Sequence, residues 1–208
     1  MLHALTSVVG FAAPVCAQTT VAMGLVFGYY LPLGHFDPAS VYSTSLPIRP
    51  SELRAFTWGG TAQISFGGRL GVEGRLSVAN STVPGGITPA GPLGPTGAQE
   101  VVATVQGQYD VSPSPENYRV WLSAGPGLIR HGGDAYARYG SPLSLGGAFG
   151  VGITLPIMSR LQIAADATTL LYPFDVKMPR DLQGNPGSLQ HGAQTDALIH
   201  LGARWGHP

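Results

Sequence analysis

From Val21 onward the chain alternates large apolar residues with small or polar ones at a period of two. In Val21 to Gly34 the odd positions Val21, Met23, Leu25, Phe27, Tyr29, Leu31 and Leu33 are large and apolar, and even positions such as Ala22, Gly24 and Gly28 are mostly small. Successive strand side chains point to opposite faces, so this stretch predicts a strand with one apolar face. The pattern returns in Phe56 to Gly67, Leu70 to Asn80, Gln99 to Val111 and Tyr118 to Arg130. It returns again in Leu143 to Leu155, Arg160 to Tyr172 and Thr195 to Trp205. Trp121 departs from it, a large ring on the polar face of its segment. The sum is about eight strands of roughly 10 to 13 residues, the length a tilted strand needs to cross a bilayer and about twice that of a soluble strand.

The links alternate in length. Gly67-Gly68-Arg69, Ser112 to Asn117 and Pro156 to Ser159 are short, while His35 to Ala55, Ser81 to Ala98, His131 to Pro142 and Pro173 to Gln194 are long. Both ends of the chain fall on the short-link side. This is the pattern of an all-β, eight-stranded antiparallel up-and-down transmembrane β-barrel, with tight turns on the periplasmic side and loops outside. Nothing after residue 17 approaches an apolar run long enough for a membrane-spanning helix, so a membrane setting requires a closed barrel.

Composition sharpens the choice of solvent. Charged residues make up 11% of the 208, against about 25% in an ordinary soluble domain. The minor strand face carries glycine, alanine, serine and glutamine rather than the lysine and glutamate a soluble strand shows to water. Small side chains suit the crowded lumen of a small barrel, which turns the large aliphatic residues toward lipid. Outward Tyr29, Phe56 and Trp58 are expected near the loop edge and Phe66, Tyr109, Tyr118 and Trp205 near the turn edge, two aromatic girdles at the two interfaces. Basic and acidic residues balance at 11 each without clustering, so nucleic acid is not an expected partner.

The apolar stretch Ala4 to Ala13, followed by Pro14-Val15-Cys16-Ala17, predicts a signal peptide over residues 1–17 and a barrel domain over 18–208. Met1-Leu2-His3 carries no lysine or arginine. Cys16 is the single cysteine, so an intrachain disulfide is excluded.

At the last strand, His200-Leu201-Gly202-Ala203-Arg204-Trp205 resembles the closing strand of the OmpA/OmpX-type small outer-membrane barrels. The resemblance implies a bacterial outer-membrane location. It also implies that Gly202 and Trp205 belong to the signal read by the barrel-assembly machinery. The chain continues through Gly206-His207-Pro208, where such barrels commonly end on an aromatic residue.

Six charges are expected to face the lumen: Glu73, Arg75, Glu100, Arg119, Asp166 and Arg204. A buried charge without a partner is costly, so they are expected to pair across the interior and plug it. Catalysis is not expected. His35 with Asp37 and His131 with Asp134, both assigned to loops, lack an adjacent serine nucleophile. His191 and His200 do not form a metal site, no cofactor is expected, and the glycines from Gly85 to Gly97 are followed by no phosphate-binding lysine. The expected role is structural or surface-interacting: outer-membrane lipid around the barrel and a surface ligand on its loops. A narrow channel for small solutes is the alternative. A lipid-modifying enzyme stands third and a soluble ligand-binding barrel fourth.

Overall fold

The computed structural model describes residues 19–33, 54–66, 69–83, 87–88, 91–92, 94–112, 117–134, 143–177 and 189–206. The expected signal peptide, His35 and Asp37 lie outside them. The strands are β1 (Thr20–Pro32), β2 (Ala55–Ser65), β3 (Leu70–Val83), β4 (Ile87–Thr88), β5 (Gly91–Pro92), β6 (Thr96–Asp110), β7 (Arg119–Gly132), β8 (Leu143–Pro156), β9 (Leu161–Lys177) and β10 (Leu189–Gly206). Eight of them close into a barrel in the order β1-β10-β9-β8-β7-β6-β3-β2, and β4 pairs with β5 in a separate small sheet. Every neighbouring pair is antiparallel. Closure runs from Ala22↔Gly206 to Pro32↔Asp196, leaving no sheet edge along the seam between β1 and β10.

All eight expected strands form. Several rise further at the loop end: β9 reaches Lys177 and β10 begins at Leu189, so the link expected from Pro173 to Gln194 is partly strand. The same holds for β3 and β6, which stay paired to Val83↔Thr96. These extensions escaped the alternation because a strand that has left the bilayer no longer divides lipid from lumen.

Two prolines weaken the ladder. Outward Pro126 lies in β7, and the β6–β7 pairing passes from Thr104↔Gly127 to Gly107↔Ala124 with no pairs at Val105 and Gln106. Proline has no N–H to give the neighbouring strand. Pro173 lies just above Gly147↔Leu171, the uppermost described pair between β8 and β9. Beyond it the described pairs of β9 are all with β10, while β8 stays on β7 up to Leu143↔Arg130.

The outer wall is apolar. Met23, Leu25, Phe27, Leu76, Val105, Leu122, Leu145, Phe149 and Leu201 all face outward and exposed. The outward row from Val21 to Leu31 takes ten residue steps of ~3.3 Å, which at a tilt of ~40° rises roughly 25 Å, the height of a lipid-facing belt. Asn80, Gln99 and Arg130, also exposed, mark where the wall turns polar above it. Among the described residues no helix is long and apolar enough to cross a membrane.

Candidate functional site: the barrel lumen

Inward side chains form four storeys, and the order runs the same way on β10, β9, β7 and β6. Read from the turn end upward, β10 presents Arg204, His200, Leu198 and Asp196, and β9 presents Asp166, Leu170 and Tyr172. Likewise β7 presents Trp121, Ile129 and His131, and β6 presents Gln108, Val102 and Glu100.

The lowest storey is the mouth between the short turns, a cavity of about 50 Å³ whose lining includes Ser65, Arg69, Gln108, Asp110, Arg119 and Gln162. Above it sits a charge network built on Arg75. Its guanidinium donates to both oxygens of Asp166 (2.5 and 2.9 Å) and, through Nε and one terminal nitrogen, to Oε1 of Glu73 (3.1 and 2.7 Å). The Arg75 nitrogen nearest Asp166 also lies 2.8 Å from Nδ1 of His200. The other Glu73 oxygen accepts from Arg204 at 2.5 Å and from the Gln108 amide at 2.9 Å. Arg204 further donates to Oε1 of Gln63 at 3.0 Å. Two carboxylates thus meet two guanidiniums, and the forked geometry suits a planar bidentate donor.

Trp121 seals the network from below. Its ring stands 5.8 Å from the Arg204 guanidinium carbon, within cation–π reach, and its Nε1 donates to Thr154 Oγ1 at 3.3 Å. The ring occupies the space a Cβ at Gly152 would fill, so the glycine on β8 is what lets a large aromatic turn inward. Its place on the polar face of its segment is therefore structural.

The third storey is apolar. Val102, Ile129, Leu170 and Leu198, with Ala55, Ala79, Ala148 and the rings of Tyr30 and Tyr172, form a buried cluster across the lumen. Above this septum Asp196 accepts from Tyr30 Oη at 2.6 Å, Tyr172 Oη at 2.5 Å and the Gln194 amide at 3.0 Å. Tyr172 Oη lies 3.3 Å from His131 Nε2. Asp196 ties β1, β10 and β9 together at the loop end, and its two strong donors come from the flanking strands.

Of the six charges expected in the lumen, Glu73, Arg75, Asp166 and Arg204 converge. Glu100 is buried but belongs to the top storey, opposite His131 in register and across the septum from Arg75. Arg119 does not enter the network. It stands at the mouth with 48% of its side chain exposed, 3.9 Å from Asp110, where water solvates it. His131 is not a loop residue either: it is the last residue but one of β7, faces inward and is buried. Asp134 is exposed just beyond Gly133, whose φ of +86° favours glycine at that bend. His191 lies opposite Asp175 on the raised part of β10, nine residues before His200 on the same strand.

His200, Asp196, Tyr30 and Tyr172 were missed as lumen partners, although each has inward parity on its strand. Among the expected girdle residues Tyr29, Phe56, Trp58, Tyr109 and Trp205 are exposed, whereas Phe66 and Tyr118 are half-buried beside the turns. Phe56 takes Phe27 in a stacked contact at 6.4 Å and Tyr29 edge-on at 6.1 Å. Gly202 faces inward beside Val26, and Trp205 faces outward. Among the described residues no group of histidines, cysteines and carboxylates has the make-up of a metal site.

No protein-family model matches the chain. No curated protein matches it either. Solved structures do. The outer membrane protein OprG from Pseudomonas aeruginosa aligns with a TM-score of 0.56 at 12% identity, over 92% of this chain and 97% of that one. A major outer membrane protein from Thermus thermophilus aligns with a TM-score of 0.53 at 12% identity, over 91% and 99%. Neisserial surface protein A aligns with a TM-score of 0.52 at 11% identity, over 90% and 96%. The chain has the fold of the small outer-membrane β-barrels. At these identities the likeness is one of fold.

Proposed function

We propose that this protein is a closed outer-membrane barrel with a structural or surface-interaction role, displaying four loop-side connections on a lumen that passes no solute. The apolar septum carries this reading. Val102, Ile129, Leu170 and Leu198 separate the Arg75 network from the Asp196 cluster, and a dry constriction of this kind resists hydration and ion passage. The salt bridges alone would be a weaker barrier, since water can enter among charged groups.

Export through a signal peptide over residues 1–17, and delivery to the barrel-assembly machinery through the Gly202 and Trp205 strand, belong to the same proposal. They are supported by the lipid-facing wall, which needs an outer-membrane route. A surface ligand would be met by the loops. The reading includes no catalytic step: buried His131 faces the Tyr172 hydroxyl, an arrangement that braces the wall. Lipid A mass spectra taken with and without the protein test this, and a changed acyl pattern would sink it.

Planar-bilayer recording tests the main claim. The wild-type chain is expected to give no stable unit openings, whereas Leu170→Ser/Leu198→Ser is expected to give small, defined ones. Stable openings in the wild type would favour the narrow channel instead.

A further inference from the structure

The three short turns differ in chemistry. The β2–β3 turn contains Gly67, Gly68 and Arg69, and the β6–β7 turn runs Ser112-Pro113-Ser114-Pro115-Glu116-Asn117. The latter is stitched by polar bonds: Asp110 Oδ1 accepts from the Ser112 N–H at 2.8 Å, and Ser112 Oγ accepts from the Val120 N–H at 2.6 Å. The β8–β9 turn reads Ile157-Met158-Ser159-Arg160 and turns its apolar side chains outward, Ile157 51% and Met158 67% exposed.

Two such side chains on a turn standing in water would be out of place, and this turn continues the lipid-facing wall. Leu161 pairs with Trp205, which is 61% exposed, and Trp205 pairs with Met23, which is 65% exposed. The turn is also rigid. Ile157 and Met158 N–H groups donate to the Leu161 carbonyl at 2.9 and 3.1 Å, and the Gly206 N–H donates to the Arg160 carbonyl at 3.0 Å. Arg160 is exposed and has no ion-pair or hydrogen-bond partner for its side chain among the described residues. An apolar pair, an interfacial tryptophan and an unpaired cation on a fixed base are the elements of an amphipathic anchor, with the cation reaching to the headgroup level.

We propose that the β8–β9 turn is a membrane anchor in which Ile157 and Met158 enter the acyl region, Trp205 lies at the interface and Arg160 binds the phosphodiester of an anionic phospholipid in the turn-side leaflet. Arg69 and Asn117, exposed residues at the other two turns, are polar where Ile157 and Met158 are apolar, so this corner of the barrel sits deeper than they do. The proposal rests on the transmembrane reading, and its test separates the two.

In a Cys16→Ser background, single cysteines at Leu25, Met158 and Asn117 carry a spin label in vesicles of phosphatidylethanolamine and phosphatidylglycerol. Collisions with oxygen are expected to dominate at positions 25 and 158, and collisions with a water-soluble nickel chelate at 117. Nickel access at 158 with oxygen dominance at 25 would overturn the anchor alone, and would leave the turn as a docking point for a soluble partner. Nickel access at 25 would overturn the membrane reading and the anchor with it.

The charged half is read separately, by the phosphatidylglycerol retained on the purified barrel in native mass spectrometry. Arg160→Gln is expected to lower it about fivefold, the weight of one basic residue at an anionic surface, and Arg69→Gln to leave it near wild type. Equal losses in the two variants, or no loss in either, would overturn the phosphate contact. Heat-shifted gel migration confirms that each variant is folded.

Discussion

The guanidinium of Arg75 donates to Glu73 and to Asp166, so its removal strands one carboxylate with only His200 beside it and leaves the other to Arg204 and Gln108. A buried pair broken on one side costs about 3 to 5 kcal/mol, because the remaining charge has lost both water and partner. Arg75→Met is therefore expected to lower the stability of the refolded barrel by that order, read as the urea midpoint in detergent micelles. Arg75→Met/Asp166→Asn removes the stranded charge and should recover part of the loss, a non-additivity expected of residues in contact. Equal losses in the single and double variants would mean that the pair contributes nothing specific. Half of this was readable beforehand. Glu73 and Arg75 lie two apart on one strand, hence on one face, and Asp166 and Arg204 share inward parity. Their meeting depends on which inward residues lie at the same height, and parity carries no information about height.

At the scale of the strands, the two prolines divide the wall into firm and weak seams. Below Gly147↔Leu171 the β8–β9 ladder continues to Pro156↔Gln162, whereas above it the described parts of the two strands follow different neighbours. Unpaired backbone amides open to water exchange faster than laddered ones. Hydrogen exchange followed by NMR in micelles should therefore show the β9-facing amides between Leu143 and Gly146 exchanging well before those between Gly147 and Leu155. Uniform protection along β8 would mean that the fork closes in solution. The strands themselves were legible because lipid outside and packed side chains inside impose opposite demands on successive residues. Their raised ends were not, and neither was the short β4–β5 hairpin inside the expected Ser81 to Ala98 loop, since water on both sides sets no such contrast.

Across the whole molecule, closure and the septum act together. Closure gives every spanning strand a paired neighbour on both sides within the wall, which resists loss of structure in detergent. The folded barrel should consequently migrate differently from the boiled chain on a gel run in dodecyl sulfate, and identical mobility before and after boiling would count against the closed barrel. With the septum intact, the upper and lower polar storeys remain separate chambers, which is what the proposed display role requires.

Periodicity, strand length and the scarcity of charge were enough to imply an eight-stranded transmembrane barrel, because each reflects a local choice between lipid and lumen that every residue makes for itself. The septum was not visible in the same way. Val102, Ile129, Leu170 and Leu198 come from four strands and look like isolated aliphatic residues on a mostly polar face until closure brings them to one level. Arg119 and Glu100 show the converse: correct parity, but one at the wet mouth and the other above the septum. Which face a side chain takes is set by its neighbours along the chain. Which partners it finds there is set by the register between strands, and that register exists only once the barrel has closed.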